Sequence, residues 1–284
     1  MTTPTLISLH GGHSGQFCNH ADNTLEEIIQ AYIGKGFTTV GISEHMPPAH
    51  DGFLYPDEIQ KGLSAEDLQR NFTRYFEELE RLKKAYKDRI RILRAFETET
   101  VTGYETQVRK LIERYRPDYI VGSVHHINDV CFDYSAETYK GIAKDLGSME
   151  AMYLAYFDAQ YEMIQSLRPF VVGHFDLIRI YDPDFVKRLQ IPEVMEKIKR
   201  NLSLVKDLGL VLDFNLRPLS RGEASPYLAP VILDLARQME ITVVPGDDAH
   251  SKDQAGQFVP QAVHLLSDFG FPTDWPEPRI LPMP

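Results

Sequence analysis

The chain has 284 residues, 43% of them hydrophobic and 25% charged, a soluble composition with enough length for a large core. Its formal net charge of −11, from 30 basic and 41 acidic residues, excludes a general nucleic-acid binder, whose affinity rests on a basic surface; a small phosphorylated substrate at a local metal cluster stays open. Two cysteines, Cys18 and Cys131, make no disulfide framework. No apolar run approaches the ~20 residues of a membrane span. Met1-Thr2-Thr3-Pro4 carries no basic-then-apolar signal. A cytoplasmic protein without membrane contact is expected; oligomeric state is open.

The first strand, 6–9, runs into His10-Gly11-Gly12-His13-Ser14-Gly15-Gln16-Phe17-Cys18-Asn19-His20, three histidines spaced by small residues that let a loop close on a point. Thr24-Leu25-Glu26-Glu27 is a capping signature, followed by apolar residues at helical spacing and a stop at Gly36. A second strand, 38–43, ends in Glu44-His45, and the Pro/Gly-rich segment 46–62 behind it is long enough to cover a substrate. A helix over about 64–86 leads to a third strand, 90–96, ending in Glu97 and Glu99. A helix at about 104–115 and a fourth strand, 118–124, ending in His125-His126, come next. A loop with Asn128, Asp129 and Asp133 then precedes a helix at about 148–167. The fifth strand, 170–173, ends in His174-Phe175-Asp176, with Arg179 close behind. Pro192 opens a helix to about 208. The sixth strand, 210–214, ends in Asn215, with Arg217 and Arg221 in its loop. A helix at about 227–238 leads to the seventh strand, 241–244, which ends in Gly246-Asp247-Asp248-Ala249-His250; a helix near 260–269 closes the series.

Strand, polar tip and helix thus recur seven times without a linker. Alternation of this kind builds a parallel sheet, and seven units favour a closed or nearly closed α/β barrel. In such a barrel all strand tips meet at one face. Of ten histidines, seven lie at a tip or in the first tip loop: His10, His13, His20, His45, His125, His174 and His250. Imidazoles in excess over carboxylates favour Zn, Mn or Fe over Mg or Ca. Together with Glu97 and Asp248 they exceed what one ion uses, so two or three divalent ions are expected, with Glu97 a natural bridge. A multinuclear site acidifies water and clamps attacking and leaving oxygens, which is hydrolytic chemistry, most often on phosphoesters.

The motifs His13-Ser14-Gly15-Gln16-Phe17-Cys18-Asn19-His20, Ser43-Glu44-His45-Met46-Pro47, Phe96-Glu97-Thr98-Glu99, Gly122-Ser123-Val124-His125, Gly173-His174-Phe175-Asp176-Leu177-Ile178-Arg179 and Gly246-Asp247-Asp248-Ala249-His250 together resemble the polymerase-and-histidinol-phosphatase (PHP) family, and within it the histidinol-phosphate phosphatases. The resemblance covers nearly the whole chain. It implies one domain over 1–284, folded as a distorted, TIM-like (β/α)7 barrel with its metal site at the carboxyl ends of the strands. It implies one ion at His10, His13, Glu97 and Asp248, a second sharing Glu97 with His125 and His174, and a third at His20, His45 and His250. It assigns phosphate binding to Arg179 and Arg217, with Arg221 a looser candidate, and L-histidinol phosphate as the substrate. Asp248 or His250 would then orient the water or the leaving group. One departure stands out: the family begins with His-x-His, whereas His10-Gly11-Gly12-His13 carries one residue more. Either the glycines let the loop bulge with both imidazoles bound, or His10 drops out.

Other residues keep two readings. Glu99 and Glu44 either ligate or stand behind a ligand, Asp247 belongs to the turn or stands behind a ligand, and His126 points away from its neighbour at the strand end. Cys18 is a packed thiol or a ligand; Asp176 is an anchor or the acid for the leaving oxygen; His50 is a loop residue. The alternatives to the histidinol-phosphate reading are a phosphoesterase of the same fold acting on a nucleotide or other small ester, and a non-catalytic metal-binding module.

Overall fold

The computed structural model describes residues 5–284. Its strands are β1 (Ile7–Ser8), β2 (Thr39–Ile42), β3 (Arg91–Arg94), β4 (Val121–Gly122), β5 (His126–Ile127), β6 (Val130–Cys131), β7 (Val171–Val172), β8 (Val211–Asn215) and β9 (Val243–Gly246). The helices are α1 (Leu25–Gly34), α2 (Pro56–Gln60), α3 (Ala65–Ala85), α4 (Tyr104–Tyr115), α5 (Ala136–Asp145), α6 (Met149–Leu167), α7 (Phe185–Arg188), α8 (Pro192–Leu208), α9 (Arg217–Ser220), α10 (Pro230–Gln238) and α11 (Val259–Asp268). Among the described residues no helix is long and apolar enough to cross a membrane.

β1, β2 and β3 pair in parallel, as do β4, β7, β8 and β9. The two sheets join where Val121 N donates to Phe96 O (3.0 Å) and Thr98 N to Val121 O (2.9 Å). They close where Leu9 N donates to Pro245 O (3.1 Å) and Asp248 N to His10 O (2.9 Å). The result is a distorted (β/α)7 barrel, its strands as short as two residues. Strand side chains alternate between two apolar clusters. Val40, Ile42, Ile92, Leu212, Phe214 and Val243 face the helices. Leu9, Leu93, Val121, Val171, Val211 and Val244 fill the barrel interior. Followed upward by twos, the interior rows pass from apolar to polar: Leu93 to Glu97, Val121 to His125, Val211 to Asp213 and Asn215, Val244 to Asp248.

The helices form for local reasons that the sequence states. Thr24 and Ser64 each close a capping box, and α3 buries Leu68, Phe72, Tyr75, Phe76, Leu79 and Leu82 along one stripe. Each such side chain contributes about 1.5–3 kcal/mol relative to exposure. Three features differ from expectation. The segment after His125 is not a plain loop: β5 and β6 form an antiparallel hairpin whose turn residues Asn128 and Asp129 both have positive φ, a two-residue turn too short to show periodicity. α5 follows it, capped by Ser135, with only Tyr139, Ile142 and Ala143 buried. α10 starts at Pro230 rather than near 227, because the Leu228 and Ala229 amides are bound by Asp176 (2.7 and 2.9 Å).

Tyr119 crosses the barrel interior and donates to Leu9 O (2.7 Å), passing where a Cβ on Gly41 would collide with its hydroxyl. Gly41→Ala should therefore cost about 1–3 kcal/mol through overpacking. Urea denaturation checks this; an unchanged midpoint would mean that Tyr119 has room to move.

Candidate metal centre

Three backbone bonds zip the first tip loop to the seventh. Asp248 N donates to His10 O (2.9 Å), His13 N to Ala249 O (2.7 Å) and Asp22 N to His250 O (2.8 Å). His10, His13 and His20 are thereby held against Asp248 and His250. The extra residue between His10 and His13 is absorbed by the glycines: a Cβ on Gly11 would strike Gly41 O, and one on Gly12 would come within 2.9 Å of Ile28. Both imidazoles stay in the centre.

Glu97 lies at the focus. Its Oε2 faces His10 Nε2 (3.2 Å), His45 Nε2 (3.6 Å) and His13 Nε2 (3.8 Å), and its Oε1 faces His174 Nε2 (2.9 Å) and His125 Nε2 (3.3 Å). Asp248 Oδ1 is 3.2 Å from His13 Nε2, and Asp248 holds a φ of 44°, a strained value for a residue other than glycine. The His20 ring centroid is 4.9 Å from that of His250, 5.2 Å from His45 and 5.6 Å from His13.

Five of the imidazoles present Nε2 inward because a partner holds Nδ1. Asp213 Oδ2 takes His10 Nδ1 (2.7 Å), Glu44 Oε2 takes His13 Nδ1 (3.4 Å), Glu99 takes His45 (2.7 Å) and His125 (2.9 Å), and Asp248 O takes His250 (2.9 Å). Glu44 and Glu99 thus stand behind imidazoles. Asp213 is the residue that sequence reasoning missed. It sits inside an apolar strand, but counting by twos from Val211 would have placed it in the interior with Asn215.

The inward Nε2 atoms of His10 and His13 are buried and have no hydrogen-bond partner. Orphaned imidazole nitrogens around carboxylate oxygens are the donor set of a divalent ion. The ligand atoms of His10, His13 and Glu97 lie within 4.8 Å of one another, as do those of His13, Asp248 and His250. Electrostatics agree. Burial pushes His10 and His125 down, but Glu97 with Asp213 and Glu99 outweighs it and raises both well above the usual range. Against the same burial, Asp248 and Glu44 bring His13 to about 9. Burial would raise Glu97 and Asp248, yet the imidazoles hold both well below the carboxylate range. Burial and neighbouring imidazoles push His20 and His250 down.

Above the cluster opens a cavity of about 960 Å³ including its mouth. Arg217 and Arg221 line it, with Tyr55, Asp57, Asp133 and Tyr227. Arg179, expected at the phosphate, does not line it. Its Nη2 donates to Ser225 O (3.0 Å) and Pro226 O (2.7 Å), and its guanidinium stacks between Phe185 and Tyr227. These bonds commit it to building the wall. Asp176 likewise anchors the 228–229 amides and is fully buried. Asp247 accepts from Ser8 and Tyr32 and holds the seventh tip. His126 is buried with Nδ1 3.3 Å from Glu99, and Cys18 is a free thiol beside His13 and His20. From the 46–62 segment, Tyr55 and Asp57 reach the cavity, whereas His50 caps the following turn.

Fold and side chains together define a barrel that uses divalent metal at the carboxyl ends of its strands. The chain belongs to the PHP domain family, whose pattern matches residues 9–217. It is 36% identical over 254 residues to a Schizosaccharomyces pombe protein named probable histidinol-phosphatase, across 88% of this chain and 82% of that protein. The crystal structure of a candidate histidinol phosphatase from Listeria monocytogenes matches with a TM-score of 0.78 at 27% identity, covering 88% of this chain and 97% of that one. The histidinol phosphate phosphatase of Lactococcus lactis, crystallised with zinc, L-histidinol and phosphate, shares the fold with a TM-score of 0.72 at 18% identity, over 94% and 95% of the two chains.

Ion binding needs neutral imidazoles, and the buried carboxylates beside His10, His13 and His125 favour their protonated forms in the metal-free protein. Zinc added to stripped protein at pH 7 should therefore release protons, with less released as pH rises past about 9, where His13 is already neutral. Calorimetry in buffers of different ionisation enthalpy measures this; a heat independent of buffer would contradict it.

Proposed function

We propose that this protein is a metal-dependent phosphomonoesterase acting on L-histidinol phosphate, releasing L-histidinol and inorganic phosphate, with residues 1–284 as one catalytic domain in the cytoplasm. The observation that carries the reading is Glu97, one oxygen toward His10, His13 and His45 and the other toward His125 and His174, beneath a cavity walled by Arg217 and Arg221. The names of the relatives at 36% and 27% identity support the substrate.

His10, His13, Glu97 and Asp248 would hold one ion; His125 and His174, sharing Glu97, a second; His20, His45 and His250 a third. Zn, Mn and Fe all suit this donor set. Such ions supply Lewis-acid polarisation of the phosphoryl group and an acidified water. Arg217 keeps one bond to Gln254 (2.8 Å), and Arg221 bonds Tyr227 (3.0 Å) and pairs with Glu223 (3.3 Å) through the same Nη2; both keep guanidinium donors for phosphoryl oxygens, whose growing charge they would neutralise. Asp248 and His250 would orient the attacking water or the leaving oxygen. Arg179 and Asp176 act at one remove, fixing the 225–229 segment that carries Tyr227. Asp57 and Asp133 line the same cavity and make no ion pair with Lys, Arg or His among the described residues, which favours a cationic leaving group such as an amino alcohol.

Glu97→Gln should abolish phosphate release and Arg217→Ala lower kcat by about 100-fold or more. The assay is a phosphomonoester panel with Zn, Mn or Fe. Preference for nucleotides would redirect the substrate; no phosphate from any ester would overturn the enzyme.

A further inference from the structure

His10 and His13 each lean on a carboxylate of their own, Asp213 and Glu44. His45 and His125 share one. Glu99 Oε1 accepts from His45 Nδ1 (2.7 Å) and from the Tyr55 hydroxyl (3.2 Å), and Oε2 accepts from His125 Nδ1 (2.9 Å). Yet the two imidazoles serve different sides of the centre. His45 Nε2 faces Glu97 Oε2 and packs against the His20 ring, while His125 Nε2 faces Glu97 Oε1 and lies 3.2 Å from His174 Nε2. Glu99 is 6% exposed, so water does not replace either bond at low cost.

We propose that Glu99 is a positioning residue that couples two ions, the one at His125 and His174 and the one at His20, His45 and His250, so that they load together. The ion at His10, His13 and Asp248 shares Glu97 with the first of these, but none of its own imidazoles touches Glu99. The proposal rests on the ligand assignment above. An imidazole that binds metal through Nε2 keeps its proton on Nδ1, and an acceptor there fixes the ring's orientation. A carboxylate with both oxygens engaged has one orientation that serves both rings. Fixing it for the first ring removes the ordering cost for the second, which is positive coupling. Tyr55, on the same Oε1, ties the cavity wall to this event.

The test is the metal content of the full-length protein, loaded with zinc and equilibrated against rising chelator, with visible absorption of a cobalt-loaded sample as a second readout. Wild type should lose two ions in one step and a third in another. Glu99→Gln offers one acceptor oxygen and an amide donor that opposes the other ring. Its two ions should bind about 10–100-fold more weakly and leave in separate steps, with the ion at His10, His13 and Asp248 the least affected. Should that variant fail to fold, His20→Gln keeps the test. It removes a ligand of one ion without touching Glu99, so under coupling the ion at His125 and His174 should weaken with it. An unchanged affinity of that ion in His20→Gln, or a wild-type profile for Glu99→Gln, would overturn the coupling. Phosphate release enters none of these readings, so a protein that coupled its ions but cleaved no ester would refute the function and leave this proposal standing.

Discussion

One buried carboxylate sets the terms for the rest of the molecule. Glu97 is 1% exposed, and the imidazoles of His10, His13, His45, His125 and His174 all come within 3.8 Å of its oxygens. A carboxylate at that depth costs several kcal/mol unless positive charge and hydrogen bonds meet it. His10, His13 and His125, whose proton affinity the buried carboxylates raise, meet it in the metal-free chain, and bound divalent ions would take that place. The five rings arrive from β1, β2, β4 and β7 or the loops behind them. Closing the barrel and compensating this charge are therefore one requirement.

The same logic extends outward. Asp213, Glu44 and Glu99 are buried where each accepts from the Nδ1 of a ring that faces Glu97, with further bonds from His174 N and Asn215 to Asp213, from Ser14 to Glu44 and from Tyr55 to Glu99. Carboxylates and imidazoles alternate from the centre to the helix layer, so no charge in the series stands alone. Strain is accepted at one place, Asp248, whose positive φ is held by its amide on His10 O and by Asn215 Nδ2 on its Oδ2 (3.2 Å).

Arginines divide between two tasks. Arg217 and Arg221 open onto the cavity, while Arg179 is spent on carbonyls and aromatic faces that shape its wall. A guanidinium has enough donors for either task, and spacing along the chain does not say which carbonyls fold back to meet it.

Strand-end chemistry was written in the sequence. Short β-branched runs followed by His, Glu or Asp determined seven parallel units, and parallel strands force their tips to one face, so His10, His45, Glu97, His125, His174 and Asp248 had to converge. Capping residues and apolar stripes fixed α1, α3, α4, α6 and α8 to within a residue or two, because a helix is stabilised by neighbours three and four apart. What lay beyond local spacing was left to the tertiary structure. The pairing of Asp213 with His10 spans 203 positions, and the turn of Asp176 toward the 228–229 amides spans 52 and 53. The sharing of Glu99 between His45 and His125 depends on where β2 and β4 flank β3 at their tips. Composition decides that imidazoles and carboxylates will meet; only the closed barrel decides which nitrogen faces which oxygen, because hydrogen-bond direction is a property of three-dimensional register.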